Sequence, residues 1–175
     1  MPKIETRIKL RLMHDATAKV WVTDLRHPSG PLLVAYLADG TLIASTFIRQ
    51  RSKTSIIKGW QQRWPRLQWQ NGKAPKTANT HTGAPIGTPF QQMVWKITAN
   101  IPTGSVLTYG DIARAIGKPR AARAVGSALG ANPLVPFVPC HRVVGSNGGL
   151  GGYSGEGGLN TKRALLKREN VSVAR

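Results

Sequence analysis

Residues 73–87 interrupt the chain with a run of Pro, Thr, Gly and Ala that carries no sustained apolar period. Such a stretch reads as a linker between two small domains rather than as part of a shared core. At 175 residues, 41% of them hydrophobic, the chain has enough apolar material for an ordinary core on each side. The sequence therefore predicts an α+β protein: an amino-terminal α/β domain over residues 1–72 and a mainly α carboxy-terminal domain over residues 88–175.

The two sides differ in period. Residues 18–24 alternate apolar and polar, and Pro31–Leu37 and Thr41–Phe47 flank an Ala38-Asp39-Gly40 turn, which predicts strands and a hairpin. A helix is expected from about Ser52 to Trp64, with Ile56, Trp60 and Trp64 at helical spacing. Trp60, Trp64 and Trp69 are placed in packing rather than in base stacking. Beyond the linker, Thr88 can cap a helix that has Pro89 at its first position and Phe90, Val94 and Ile97 on one face; Ile101-Pro102-Thr103-Gly104 stops it. Thr108 is a second cap, for a helix through Ile116, and Gly117-Lys118-Pro119 turns the chain into a helix from about Arg120 to Gly130. Two helices joined this way make a helix-turn-helix. From Ala121 to Ala131 nearly every residue except Arg123 is small or aliphatic. A major-groove reader needs several long polar side chains, so this helix suits a close approach to the minor groove with one wedge, or close packing within the protein.

Charge narrows the partner. There are 25 Lys and Arg against 7 Asp and Glu, a formal net charge of +18, spread over both halves. A polyanion is the expected partner, bound without sequence preference and with strong dependence on salt. No apolar run approaches the roughly 20 residues of a membrane span, and the first residues lack the pattern of a signal peptide, so the expected setting is the cytoplasm, without a membrane. The single cysteine, Cys140, cannot form an internal disulfide or supply paired thiolates to a structural zinc site. A lone cysteine in apolar surroundings is commonly inert packing. A nucleophilic thiol needs a base, typically an imidazole oriented by a carboxylate. His141 follows Cys140 directly. Neighbours on an extended strand point opposite ways, so a bridging water between them is expected.

These residues carry a resemblance. Phe90-Gln91 through Trp95, Ile101-Pro102-Thr103-Gly104, Tyr109-Gly110-Asp111-Ile112-Ala113, Arg123-Ala124-Val125-Gly126, Asn132-Pro133, Pro139-Cys140-His141-Arg142-Val143, Gly152-Tyr153-Ser154-Gly155, and Leu165-Leu166 with Glu169 together resemble the O6-alkylguanine-DNA alkyltransferases. The resemblance spans Thr88 to Glu169, about half the chain. Residues 1–87 match that family's variable amino-terminal domain only loosely.

What the resemblance implies is specific. The amino-terminal domain would be ribonuclease H-like and the carboxy-terminal domain winged-helix-like. Cys140 would accept an alkyl group from the O6 of guanine in double-stranded DNA and be consumed. His141 would act as its base through water, with Glu169 orienting His141. Tyr109 would assist departure of guanine, and Asn132 would brace the join between the helix-turn-helix and the active-site strand. The backbone around Val143, with Tyr153 and Ser154, would line the pocket for a flipped base. Arg123 would fill the gap left in the stack, with Tyr109, Gly110, Lys118, Ala121, Ala122, Gly126 and Ser146 along the DNA. No cofactor is implied, and the protein would act as a monomer associated with the nucleoid through DNA. Some members hold zinc in the amino-terminal domain; this chain has no cysteine there, and His14, His27 and His81 are scattered, so no metal is expected. The Gly155-Glu156-Gly157-Gly158 loop is longer than in members that read Gly-Gly there. The rival readings are a non-enzymatic lesion binder, which would lack the cysteine, and a helix-turn-helix regulator, which would carry a further cysteine-rich domain.

Overall fold

The computed structural model describes residues 18–83 and 85–173. The chain divides into two compact units at Ile86 and Gly87.

The first unit is built on a five-stranded sheet, with β1 (Lys19–Leu25), β2 (Leu32–Leu37), β3 (Thr41–Phe47), β4 (Gln68–Asn71) and β5 (Asn79–Gly83) in the order β4-β1-β2-β3-β5. The expected hairpin is β2–β3: the strands run antiparallel with Leu32 opposite Phe47. Its turn closes because Gly40 takes a positive φ of 86° and Asp39 accepts a bond from the Thr41 N–H. Every residue of β2 and β3 is buried, which explains their near-continuous apolar runs. Helix α1 (Lys53–Arg63) is capped by Ser52 and packs Ile56 into the sheet's core with Val20, Leu33 and Ile43. Trp60, Trp64 and Trp69 are packed against that core, and both Trp60 and Trp64 stack on Trp69.

The linker expectation needs correction over Asn79–Gly83. Those residues form β5 and pair with β3 in parallel, contributing an edge strand that the Asn-Thr-His-Thr-Gly sequence hides for lack of any apolar alternation.

In the second unit, α2 (Pro89–Ala99) opens with a capping box: the Gln91 N–H donates to Thr88 Oγ1, and the Thr88 N–H donates to Gln91 Oε1 at 2.9 Å. Its buried residues are Val94, Trp95 and Thr98, rather than the expected line of Phe90, Val94 and Ile97. The indole explains the rotation, since Trp95 is fully buried and its Nε1–H donates to the Ala128 carbonyl at 2.8 Å. Helices α3 (Tyr109–Ala115) and α4 (Ala122–Gly130) follow, joined by a turn in which Gly117 has a φ of 71°. Ala128 belongs to α4, so the Trp95 bond ties α2 to it. A two-residue strand β6 (Leu107–Thr108) pairs in parallel with β7 (Val143–Val144), and helix α5 (Gly158–Arg168) closes the unit.

Candidate active site

Cys140 does not lie on a strand. Residues Cys140–Arg142 form a single 3-10 turn that runs directly into β7, so the thiol and the imidazole of His141 do not alternate across a sheet as expected. Two bonds from Asn132 fix the approach to this turn. Its amide donates to the Val138 carbonyl at 2.8 Å and accepts from the Leu134 N–H at 2.9 Å, spanning from the residues after α4 to a point two residues before the cysteine.

From the residue after Cys140 runs a charge chain that is buried at His141 and partly buried at Arg142 and Glu169. His141 is 2% exposed, and its Nε2 stands 2.9 Å from Glu169 Oε1. Arg142 grips the same carboxylate from Nε (2.8 Å) and from its terminal nitrogen (2.9 Å), while also donating to the Ile101 carbonyl and to Thr103 Oγ1. Glu169 reaches this position because α5 stops there. Asn170 adopts a left-handed φ of 58°, the Asn170 N–H returns to Lys167 and the Val171 N–H to Leu166, and Glu169 becomes the C-cap. A carboxylate at a helix C-terminus is electrostatically disfavoured, and the bidentate guanidinium offsets that.

Protonation states follow from the geometry. Burial pushes the His141 imidazole below its ordinary 6.5 despite the Glu169 bond, so the ring is neutral near pH 7. Burial alone would raise Glu169, but the bonds from Arg142 and His141 outweigh it and hold the carboxyl below its ordinary 4.5. An ionised Glu169 can only accept, so Nε2 carries the proton and Nδ1 the lone pair. Nδ1 is buried and has no protein partner. Burial also pushes the Cys140 thiol up, partly offset by Asn132 and by the charge of Lys162. The resting state is thus a protonated thiol followed in the chain by a neutral imidazole whose Nδ1 can accept.

Cys140 lines a cavity of about 680 Å³. Tyr109, Gly110, Ala122, Arg123 and Gly126 line it from α3 and α4, and Ser146, Tyr153 and Ser154 line it from the segments that follow β7. Tyr109 is placed at the first turn of α3 by a second capping box, between Thr108 and Asp111. Its hydroxyl lies 3.4 Å from the Gly152 carbonyl, and burial raises its pKa, which keeps it a donor at neutral pH. Arg123 stands exposed in the first turn of α4. Val143, whose backbone was expected near the pocket, lies in β7 with its side chain buried. Lys118 and Ala121 lie in and just after the turn before α4, outside the lining. Two charged residues gained no assigned role from the sequence: Arg142, which grips Glu169, and Lys162 on α5, which is 0% exposed. Arg142 sits inside a motif that gives no hint of its partners, and a long cation is ordinarily read as solvated.

Against this geometry, the profile for the DNA-binding domain of 6-O-methylguanine DNA methyltransferase matches residues 89–171. The methylated-DNA–protein-cysteine methyltransferase of Mycobacterium bovis is 58% identical over 83 residues, which is 47% of this chain and 49% of that protein. The chain thus spans about half the length of that relative. The protein of the same name from Methanosarcina acetivorans is 38% identical over 149 residues, covering 81% of this chain and 93% of its own. The chain belongs to the methylated-DNA–protein-cysteine methyltransferase family. Its likeness also holds in three dimensions. Mycobacterium tuberculosis OGT, solved in complex with DNA, superposes with a TM-score of 0.64 at 37% identity, over 86% of this chain and 92% of that one. Among the described residues of this family member, no three His, Cys, Asp or Glu side chains stand together as a metal site, and no helix is long and apolar enough to cross a membrane. His14 and the side chain of His81 lie outside the described residues.

Proposed function

We propose that this chain repairs DNA by moving an alkyl group from O6 of an alkylated guanine to Sγ of Cys140. The observation that carries the reading is Cys140 on the wall of an open cavity, with the next residue, His141, held in a hydrogen-bonded chain with Glu169 and Arg142. His141 Nδ1 takes the thiol proton, through water or directly, and Glu169 stabilises the imidazolium that forms. The thiolate attacks the alkyl carbon in line. An S–C bond forms, the C–O6 bond breaks, and its electron pair passes to the guanine ring, where a proton donated from Tyr109 neutralises it. A thioether does not hydrolyse under cellular conditions, and the sequence has no second cysteine to take the group over. One protein molecule therefore repairs one lesion.

The target atom is out of reach inside a duplex, so the nucleotide must be flipped into the cavity. Exposed Arg123, at the cavity's α4 edge, suits the wedge that fills the stack, and the small residues along α4 suit a close approach to the minor groove. Lys118, Ala121 and Ser146 are assigned to the DNA path, and Tyr153 and Ser154 to the base pocket. In the same reading the first unit is ribonuclease H-like, the second winged-helix-like, and the protein works as a monomer on nucleoid DNA in the cytoplasm.

The test is to incubate the protein with duplex DNA carrying O6-methylguanine and map the added mass. A methyl group on the peptide containing Cys140 is expected, and Cys140→Ala should show none while still binding DNA, because binding rests on the basic surface. A methyl group on another residue overturns the reading.

A further inference from the structure

Lys162 is the largest cost in the second unit that the proposed chemistry leaves unexplained. Its side chain is completely buried, and a buried ammonium is expensive unless it is fully hydrogen-bonded. Here Nζ donates to three main-chain carbonyls: Val143 at 2.5 Å, Leu150, and Gly152 at 3.1 Å. That matches an ammonium's three protons, one to each acceptor. The acceptors come from two segments. Val143 belongs to β7, immediately after the turn that carries Cys140; Leu150 and Gly152 belong to the loop that leads into Tyr153 and Ser154. The Gly152 carbonyl is also the atom that the Tyr109 hydroxyl meets. One side chain from α5 thus ties β7, which follows the cysteine's turn, to the loop that carries Gly152, Tyr153 and Ser154 into the cavity lining, at a point shared with Tyr109.

We propose that Lys162 is a positioning residue, whose charged amino group pins the wall around Gly152 so that Tyr109 and the Tyr153–Ser154 rim face the Cys140 thiol at reacting distance. The proposal rests on the alkyl-transfer reading. A hydrophobic residue fills the same volume more cheaply, but it takes the ammonium donor from the buried bonds to the Val143 and Leu150 carbonyls and leaves the loop without this tie to β7. The groups that sense this charge are Cys140 and His141, with Tyr109 across the shared carbonyl. Burial lowers Lys162 to about 8, so the pin is present at neutral pH and weakens above it, when the neutral amine keeps only two donor protons.

The experiment compares the unmodified protein with Lys162→Met and Lys162→Arg, using two reagents: duplex DNA containing O6-methylguanine, and iodoacetamide, a small thiol probe that needs no ordered pocket wall. Lys162→Met should lower the transfer rate constant on the order of 10- to 100-fold, the usual cost of misplacing reacting groups by about an ångström. It should change DNA affinity by less than about two-fold, and amide exchange over residues 150–154 should quicken. Lys162→Arg, which stays charged at high pH, should recover part of the rate. In the unmodified protein the transfer rate should fall above pH ~8 while iodoacetamide reactivity keeps rising, a split that a loosened pocket wall produces and titration of Tyr109 does not, since burial raises Tyr109 above its ordinary 10. This pH arm decides the matter if Lys162→Met does not fold. Transfer that rises with pH in parallel with iodoacetamide reactivity, or a folded Lys162→Met that transfers at the normal rate, overturns the proposal. Absence of transfer by the unmodified protein instead overturns the alkyl-transfer reading beneath it.

Discussion

At the scale of single residues, the site is a short relay in which each group fixes the protonation of the next. Arg142 keeps Glu169 ionised, Glu169 fixes the proton of His141 on Nε2, and Nδ1 is left as the base. Groups that act as a unit lose most of their effect when any member goes. Replacing His141 by Ala or Glu169 by Gln should each slow reaction of Cys140 with a small alkylating probe near pH 7, and the double variant should be little slower than either single one. Additive losses in that cycle would mean that the two do not share a network with the thiol. The same relay sets a pH dependence of stability. Both groups have lowered values in the folded state, so the unfolded chain binds their protons first. Their contribution is complete above the ordinary values and disappears as pH falls, beginning below 6.5 for His141 and below 4.5 for Glu169. Urea midpoints should therefore decline between pH 7 and pH 4, and Glu169→Gln should flatten the part below pH 4.5. An unchanged slope in that variant would show that Glu169 does not couple folding to protons.

At the scale of elements, α4 is the part of the site that the proposed function sets against DNA. Ala122, Gly126 and Gly130 line the cavity with almost no bulk, and a Cβ on Gly126 would already touch the Tyr109 ring at 3.7 Å. Arg123 is the long side chain on that edge. If it fills the stack after flipping, Arg123→Ala should slow repair of duplex DNA roughly 10-fold or more, the equivalent of about 1.4 kcal/mol, and leave reaction with free O6-alkylguanine base nearly unchanged. Equal losses on both substrates would remove the wedge from the mechanism. The helices of this unit were legible because their signals are local: Thr88 before Pro89, Thr108 before Tyr109, and Gly117 between α3 and α4 each act within one turn of chain. What the sequence concealed depends on distant partners. The strand Asn79–Gly83 has no apolar rhythm and exists by pairing with β3. Trp95 was not on the expected face because its indole answers a carbonyl 33 residues away. Arg142 and Lys162 have their roles set by carbonyls and a carboxylate that no local pattern brings together.

At the scale of the whole molecule, the proposed function divides the work between two properties: charge would gather DNA without choosing a sequence, and the thiol would react once. With 25 basic residues against 7 acidic ones, affinity should fall steeply and log-linearly with salt and differ little between duplex sequences. Charge then governs how fast lesions are found, and has no bearing on how many each molecule can repair. That number follows from Cys140 being the only cysteine in the chain and from the thioether being a dead end. With O6-methylguanine duplex in large excess, repair should rise quickly and stop at one lesion per protein molecule, whether incubation lasts minutes or a day. Raising salt should slow the approach to that plateau by weakening binding, yet leave its height unchanged, because height counts thiols and rate counts encounters. Doubling the protein should double the plateau. A plateau that keeps climbing with time would require something to regenerate Cys140, and the single-use mechanism would then be wrong even if every contact described around the thiol were right.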